Sequence, residues 1–243
     1  GPTGFHRRLW RAAVGENSLT FTRLSCDGEE GYPGNLLVSV RYTFDDECRL
    51  GIHYQALCDQ DTVINLTNHS YFNLDGEDSG SVEGQHLQIF ADNFAENDAG
   101  CLPTGRIVSL DSEEGAPFDF REPTEIGKRL HEENIHLKNG SGYDHNYLLK
   151  KQPDGLCARA YSRSSGILLE CRTSEPGMQL YTGNFLSTSN IVGKGGKSYA
   201  DRAGFCLETQ HYPNAMEHPE FPSVVLPAGE LYDTTTEYHI SLL

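Results

Sequence analysis

Hydrophobic and polar residues alternate over many short stretches of this chain, which is the pattern of β-strands with one buried face. The clearest pair is 36–44 and 50–58, where apolar side chains occupy every second position on both sides of Asp45-Asp46-Glu47. Successive side chains of a strand point to opposite faces, so two such runs with a short connection predict a β-hairpin. Further strands are predicted at 19–26, 63–67, 87–94, 147–149, 156–162, 167–173, 178–185, 204–210 and 236–242.

Helical signals are almost absent from the sequence. Only 123–132 has the features of a helical turn, with Pro123 and acidic residues at its start and Lys128 and Arg129 near its end. Many strands with frequent turn signals between them predict an all-β sandwich or barrel. No internal repeat, low-complexity tract or linker divides the chain, so we expect a single domain over residues 1–243.

One predicted strand, 204–210, carries a carboxylate in its middle. Glu208 shares a strand face with Cys206 and Gln210, and apolar residues flank it. A carboxylate is costly to bury unless a partner or a function uses its charge. The ordinary alternative is a solvent-facing glutamate on a half-exposed sheet, because charged side chains are mostly exposed.

Three other segments favour the functional alternative, because each is rich in polar residues. They read NLTNHSYFNL at 65–74, GYDHN at 142–146 and PGMQLYTGNF at 176–185. If the first of them is a strand, one of its faces carries a polar row that is expensive to bury without a ligand or water. The members of this row are Asn65, Thr67, His69, Tyr71 and Asn73.

Each candidate in these segments also has an ordinary structural reading. His69 could be a hydrogen-bonded structural histidine, and Gln179 an amide on an unremarkable strand. Asp144 could be a turn aspartate that caps backbone amides.

With GFCLETQHYPNA at 204–215, these motifs resemble those of the galactose mutarotases, or aldose 1-epimerases, in the family's order, and the resemblance runs along the whole chain. It implies a large antiparallel β-sandwich with very little helix. It also implies an isomerase that interconverts the α and β anomers of free hexoses such as galactose and glucose, with no cofactor and no metal.

The resemblance assigns roles to six residues. Glu208 corresponds to the catalytic base and His69 to the general acid. The residues that correspond to sugar contacts are Asp144, Gln179, Tyr71 and Ser70. A positioned acid and base each typically accelerate a proton transfer by about 10²–10⁴-fold, which suits the opening and closing of a sugar ring.

The first residues resemble a family segment that follows a sugar-contacting His-Gly-Gly. Residues 4–10 carry this likeness, and the family has an Asn-Arg pair further upstream. We therefore expect the chain to lack the N-terminal part of the family domain, and residues 1–243 alone to show little mutarotase activity.

Charge and cysteine content narrow the possible partners. A net charge of -16 disfavours nucleic acid, anionic membranes and polyanionic substrates, and fits a neutral ligand. The seven cysteines include no C-x-x-C, and Cys48, Cys58, Cys157, Cys171 and Cys206 are predicted to be buried in a reducing compartment. With no signal peptide or membrane span in the sequence, we expect a cytoplasmic protein that is a monomer or weak dimer.

Two other functions stay open. A hexose-6-phosphate 1-epimerase would need Arg or Lys for the phosphate, and the motifs contribute none. A non-catalytic sugar-binding or regulatory homologue is the second. A metal site is not expected, because no His and Cys residues stand at the close spacing of metal ligands.

Overall fold

Two antiparallel sheets carry most of the chain in the computed structural model, which describes residues 3–189 and 191–243. The larger sheet has nine strands in the order β1 (Arg11–Val14), β2 (Ser18–Ser25), β3 (Leu36–Phe44), β4 (Arg49–Cys58), β16 (Leu231–Leu242), β12 (Ile167–Thr173), β11 (Leu156–Tyr161), β6 (His86–Ile89) and β9 (Thr124–Glu125). The smaller sheet has five strands in the order β14 (Cys206–Gln210), β13 (Gly177–Tyr181), β10 (Asp144–Leu149), β7 (Ala91–Asn97) and β8 (Pro103–Ser109). A short separate ladder joins β5 (Thr62–Val63) to β15 (Val225–Leu226).

The predicted all-β sandwich is confirmed, and so is its hairpin. Strands β3 and β4 pair from Leu36 opposite Cys58 to Phe44 opposite Leu50. The alternation missed β1, whose four residues are all exposed, and β8, in which Pro103 and Gly105 interrupt the pattern. It also missed the two-residue strands β9 and β15, which are too short to show a period.

The helical turn predicted within 123–132 is present as a short 3₁₀ turn, whereas the α-helix that follows it was not predicted. A 3₁₀ turn covers only Ile126–Lys128, and the α-helix of the described residues, α1, spans Ile135–Gly140. The side chain of Asn134 caps α1, since its Oδ1 accepts hydrogen bonds from the backbone N–H groups of His136 and Leu137. Among the described residues, no helix is long and apolar enough to cross a membrane.

The strand predicted at 63–67 ends at Val63, so the polar row at 65–73, which required that strand to continue, does not form. No strand forms there, and only Phe72 bridges to another segment, through paired backbone hydrogen bonds with Phe205 of 2.8 and 2.9 Å. Its polar residues therefore do not share one face. Cys48, predicted to be buried, is exposed in the β3–β4 turn, whereas the other four named cysteines are buried.

The core lies between the two sheets and contains a hydroxyl group that connects them. Tyr238 of β16 is almost fully buried, and its hydroxyl donates to the carbonyl oxygen of Leu207 in β14 at 2.6 Å. The same hydroxyl lies 3.2 Å from Oδ1 of Asn68, in the segment before Phe72. Tyr238 therefore holds the residues next to Glu208 and His69 in one place. One buried apolar cluster includes residues of both sheets and supports the prediction of a single domain.

Replacing Tyr238 by Phe should lower the free energy of unfolding by about 1–3 kcal/mol, because the buried carbonyl oxygen of Leu207 loses its donor. Urea denaturation measures the change. Tyr32→Phe is the matched control, since Tyr32 is exposed, and it should stay within about 0.5 kcal/mol of the unsubstituted protein. Equal effects of the two substitutions would contradict the role given to the Tyr238 hydroxyl.

Candidate active site

Three neighbouring strands of the smaller sheet supply the floor of a polar pocket. Their registers place Gln179 opposite both Asn146 and Glu208, and Tyr181 opposite both Asp144 and Cys206. Directly opposed residues of a sheet project to the same face. Two cross-strand rows therefore share this face, Asn146–Gln179–Glu208 and Asp144–Tyr181–Cys206, and all of their members except the buried Asn146 and Cys206 line the pocket.

Glu208 is a buried carboxyl group and not a solvent-facing one. The residue is 9% exposed, and the whole of β14 up to Thr209 is buried. The ordinary reading of Glu208 as a residue on a half-exposed sheet is therefore wrong. Since no Arg or Lys lines the pocket among the described residues, the carboxyl group is not neutralised by a permanent cation there.

His69 reaches Glu208 from an irregular segment that runs beside the edge strand β14. The Phe72–Phe205 bridge holds this segment at one end. At the other end, the Asn65 amide donates to the carbonyl oxygen of His211 at 2.9 Å and accepts from its N–H at 3.0 Å. These contacts attach the segment to β14 at its two ends, in place of the continuous backbone pairing of a strand.

The imidazole of His69 contacts both a carboxyl and a thiol group. Nε2 lies 3.2 Å from Oε1 of Glu208, and Nδ1 lies 3.3 Å from Sγ of Cys206. The ring stacks on Tyr71 with centroids 4.9 Å apart, and Tyr181 meets it edge-on at 5.7 Å. The side chain is still 53% exposed, so one side of it can meet a ligand.

Asp144 and Gln179 form a second polar pair beside the first. Nε2 of Gln179 donates to Oδ1 of Asp144 at 2.8 Å. Oε1 of Gln179 is buried and has no hydrogen-bond partner among the described residues. A buried acceptor without a partner is expensive, and a hydroxyl group of a ligand or a water molecule would satisfy it.

Burial changes the protonation of both carboxyl groups. Burial, and to a smaller extent the negative charge of Asp144, raises the pKa of Glu208 to about 8. Burial also raises the pKa of Asp144, although the hydrogen bond from Gln179 and the charge of His69 oppose that shift. Two carboxyl groups in one pocket therefore compete for charge, as expected for groups that exchange protons near neutral pH.

A pocket of about 290 Å³ lies above this floor. Five of the six residues assigned from the sequence line it, while Ser70, whose backbone N–H donates to Asn68, does not. The remaining lining residues are Tyr181, Phe185, Gln210 and Pro213. The alternation along β13 and β14 could have identified Tyr181, Gln210 and Cys206, whereas Phe185 and Pro213 lie in turns that carry no such signal.

A glycine makes room beside this floor. A Cβ atom on Gly177 would lie 2.9 Å from the side-chain amide of Asn146 and 2.8 Å from the ring of Tyr212. These contacts are too close, so only glycine leaves Asn146 in its buried position.

Larger hollows elsewhere lack this combination of groups. One of about 460 Å³ lies on the outer face of the nine-stranded sheet, and its carboxylates, Asp154 and Glu237, are exposed or half-exposed. Another of about 370 Å³ is lined by Glu29 and Glu30, which lie near Arg8. Neither of the two holds a buried carboxyl group in contact with an imidazole.

The fold and the pocket define a β-sandwich protein with an imidazole–carboxyl pair at a polar site. The family model of the aldose 1-epimerases matches residues 3–239, and the chain belongs to that family. The galactose mutarotases of Bos taurus and Homo sapiens are 45% and 44% identical over 243 residues, and the matches cover the whole chain and 68% of each relative. The aldose 1-epimerase of Escherichia coli K12 is 37% identical, and that match covers 98% of the chain and 68% of the relative.

Solved structures agree with this membership. An aldose epimerase homologue from C. elegans superimposes with a TM-score of 0.88 at 31% identity, over 100% of this chain and 71% of the other. A galactose 1-epimerase from Lactobacillus acidophilus superimposes with a TM-score of 0.83 at 26% identity, over 99% and 68%.

The burial of Glu208 predicts a pH-dependent stability. Its pKa of about 8 lies above the ordinary 4.5, so the folded protein holds the proton more tightly than the unfolded chain. The contribution is fully present below about pH 4.5 and is lost as the pH rises through 8, on the order of a few kcal/mol. Glu208→Gln should remove this loss. Between pH 5 and pH 9, the free energy of unfolding of the Glu208→Gln variant should therefore rise relative to that of the unsubstituted protein.

Urea denaturation at the two pH values measures this difference. Glu113→Gln removes an exposed carboxylate and is the matched control. A constant difference between Glu208→Gln and the unsubstituted protein across this range would contradict a buried, protonated Glu208.

Proposed function

We propose that this protein is an aldose 1-epimerase, an isomerase that interconverts the α and β anomers of a free hexose such as galactose or glucose. The observation that carries the proposal is the 3.2 Å contact between His69 and the buried Glu208 at the floor of a polar pocket. Membership of the family and identities of 44–45% to galactose mutarotases support it.

The reaction needs two proton transfers, and the pair supplies a group for each. Glu208 takes the proton of the C1 hydroxyl while His69 donates one to the ring oxygen, and the bond between C1 and that oxygen breaks. The open-chain aldehyde then rotates about C1–C2, and the reverse transfers close the ring to the other anomer. No electrons leave the sugar, so this chemistry requires no redox cofactor.

The contact between the two groups also explains how a carboxyl group with a raised pKa can serve as a base. A neutral Glu208 beside a neutral His69 carries the same number of protons as a Glu208 carboxylate beside a His69 imidazolium. Moving one proton across 3.2 Å converts the first form into the second. The reactive form is therefore reached by a proton transfer within the pair, without losing a proton to solvent.

The remaining polar groups hold the sugar against the pair. Asp144 and the unpartnered Oε1 of Gln179 accept hydrogen bonds from sugar hydroxyls. Tyr71 is 47% exposed at the wall of the pocket and offers an aromatic face, whereas Ser70 lies outside the lining and is given no contact. Fixing the hydroxyl groups aligns C1 and the ring oxygen with the two catalytic residues.

The pocket favours a neutral sugar over a phosphorylated one. No Arg or Lys lines it among the described residues, whereas a phosphate group needs such partners. A hexose-6-phosphate is therefore the weaker alternative. A non-catalytic sugar-binding protein would need no acid–base pair, so the His69–Glu208 contact favours the enzyme.

The cysteines and the net charge bear on where the protein is located and on how it associates. All seven cysteines are free, which supports a reducing, cytoplasmic location. The net charge of -16 disfavours close self-association and nucleic acid, and we propose a monomer or weak dimer.

In a protein that carries the whole family domain, Glu208→Gln should reduce the rate of mutarotation by about 10²–10⁴-fold, because the base is lost while the shape of the side chain is retained. Polarimetry on freshly dissolved α-galactose measures the rate, with Glu113→Gln as the control. His69→Asn should have an effect of similar size. An unsubstituted protein with the whole family domain that binds galactose by calorimetry but leaves the spontaneous rate of mutarotation unchanged would favour the sugar-binding alternative over the enzyme.

Asp144→Asn should raise KM for galactose roughly tenfold to hundredfold and change kcat less, because it weakens a charged acceptor for sugar hydroxyls by about 1–3 kcal/mol. Asp46→Asn, in the exposed β3–β4 turn, is the matched control. An unchanged KM in Asp144→Asn would remove Asp144 from the binding residues.

A further inference from the structure

We propose that His69, Cys206 and Glu208 also form a binding site for a thiophilic divalent cation such as Zn²⁺, at which the ion competes with the sugar. The ion is an inhibitor of the site and takes no part in the isomerisation. This inference concerns the binding of an ion and goes beyond the proposed function.

The donor atoms have the identity and nearly the spacing that zinc requires. One imidazole nitrogen, one thiol sulfur and one carboxyl oxygen all lie within 4.8 Å of one another. Tetrahedral zinc, with bonds of about 2.0–2.3 Å, places its ligand atoms roughly 3.3–3.8 Å apart. The contacts of 3.3 Å between Nδ1 and Sγ and 3.2 Å between Nε2 and Oε1 show how close the three side chains already are.

Coordination requires the imidazole to turn, because its contacts with Cys206 and Glu208 now use different ring nitrogens and only one nitrogen can bind the ion. Cys206 and Glu208 are fixed on β14, whereas the His69 side chain is 53% exposed and can turn. Three protein ligands leave the fourth position towards the open pocket, where water can bind. Sites with three protein ligands and one open position are a common zinc arrangement.

The surrounding charges favour a cation. No Arg or Lys lines the pocket among the described residues, and Asp144 adds a further carboxyl group at its wall. Cys206 is a buried thiol, and an ion that binds it must displace its proton. This cost selects ions with high affinity for thiolate, such as Zn²⁺ and Cd²⁺, over Mg²⁺ and Ca²⁺.

The sequence gives no indication of this site, because 137 positions separate His69 from Cys206. Competition follows from the atoms involved. The ion needs the free electron pairs of His69 and Glu208, and these are the groups that the sugar reaction uses for proton transfer.

Cadmium binding tests the proposal without any activity assay, through its ultraviolet thiolate charge-transfer band. The background protein carries Cys26→Ser, Cys48→Ser and Cys101→Ser, which removes the exposed and half-buried thiols. We expect a band that saturates at one Cd²⁺ per chain. Cys206→Ser should abolish this band, and Glu208→Gln should weaken Cd²⁺ binding at least tenfold.

Zn²⁺ should displace Cd²⁺ from this background, and added galactose should weaken Cd²⁺ binding. Circular dichroism melting confirms that the variants fold. No band in the background protein, or a band that survives Cys206→Ser, overturns the site. A cadmium band that depends on Cys206 and Glu208 but not on galactose keeps the metal site and overturns the competition. The metal site is thus tested even if the chain proves not to be a mutarotase.

Discussion

The burial of one carboxyl group, that of Glu208, is the constraint on which the site depends. A carboxyl group at 9% exposure stays in a sheet only if its neighbours tolerate either charge state. Here Gln179 lies directly opposite, and His69 is within 3.2 Å. Burial raises the pKa of Glu208 to about 8, so the folded protein has an acid–base group whose pKa is close to neutral pH. The cost in stability and the capacity for proton transfer have the same physical origin.

Placing His69 requires a different solution, because it comes from an irregular segment. The Phe72–Phe205 bridge and the Asn65–His211 amide contacts attach that segment to both ends of β14. Tyr238 crosses the sandwich between them and contacts both Leu207 and Asn68. The segment is thus held as firmly as a strand, while the imidazole is still half-exposed for a ligand.

The closeness that suits proton transfer also creates a vulnerability. The imidazole of His69 and the carboxyl group of Glu208 can bind a metal ion once their protons are lost. The thiol of Cys206 adds a third ligand beside them. A nearby Arg or Lys would repel metal ions, but it would also hold Glu208 as a permanent carboxylate and lower its pKa. Without an Arg or Lys among its described lining residues, the pocket keeps the pKa of Glu208 raised, but it does not repel thiophilic ions.

Local pattern was sufficient for much of this protein. The period of two predicted the β3–β4 hairpin, the all-β class and the common face of Cys206, Glu208 and Gln210, because alternation is a local property of a strand. The motifs named His69, Asp144 and Gln179 as partners of Glu208. What the pattern could not show depends on contacts between distant segments. The polar row at 65–73 forms no strand, because its backbone pairs with β14 at Phe72 only. The packing of β14 against a segment more than a hundred residues earlier decided that Glu208 is buried. The same packing places Cys206 3.3 Å from His69. At such a separation, the spacing of residues in the sequence carries no information about contact.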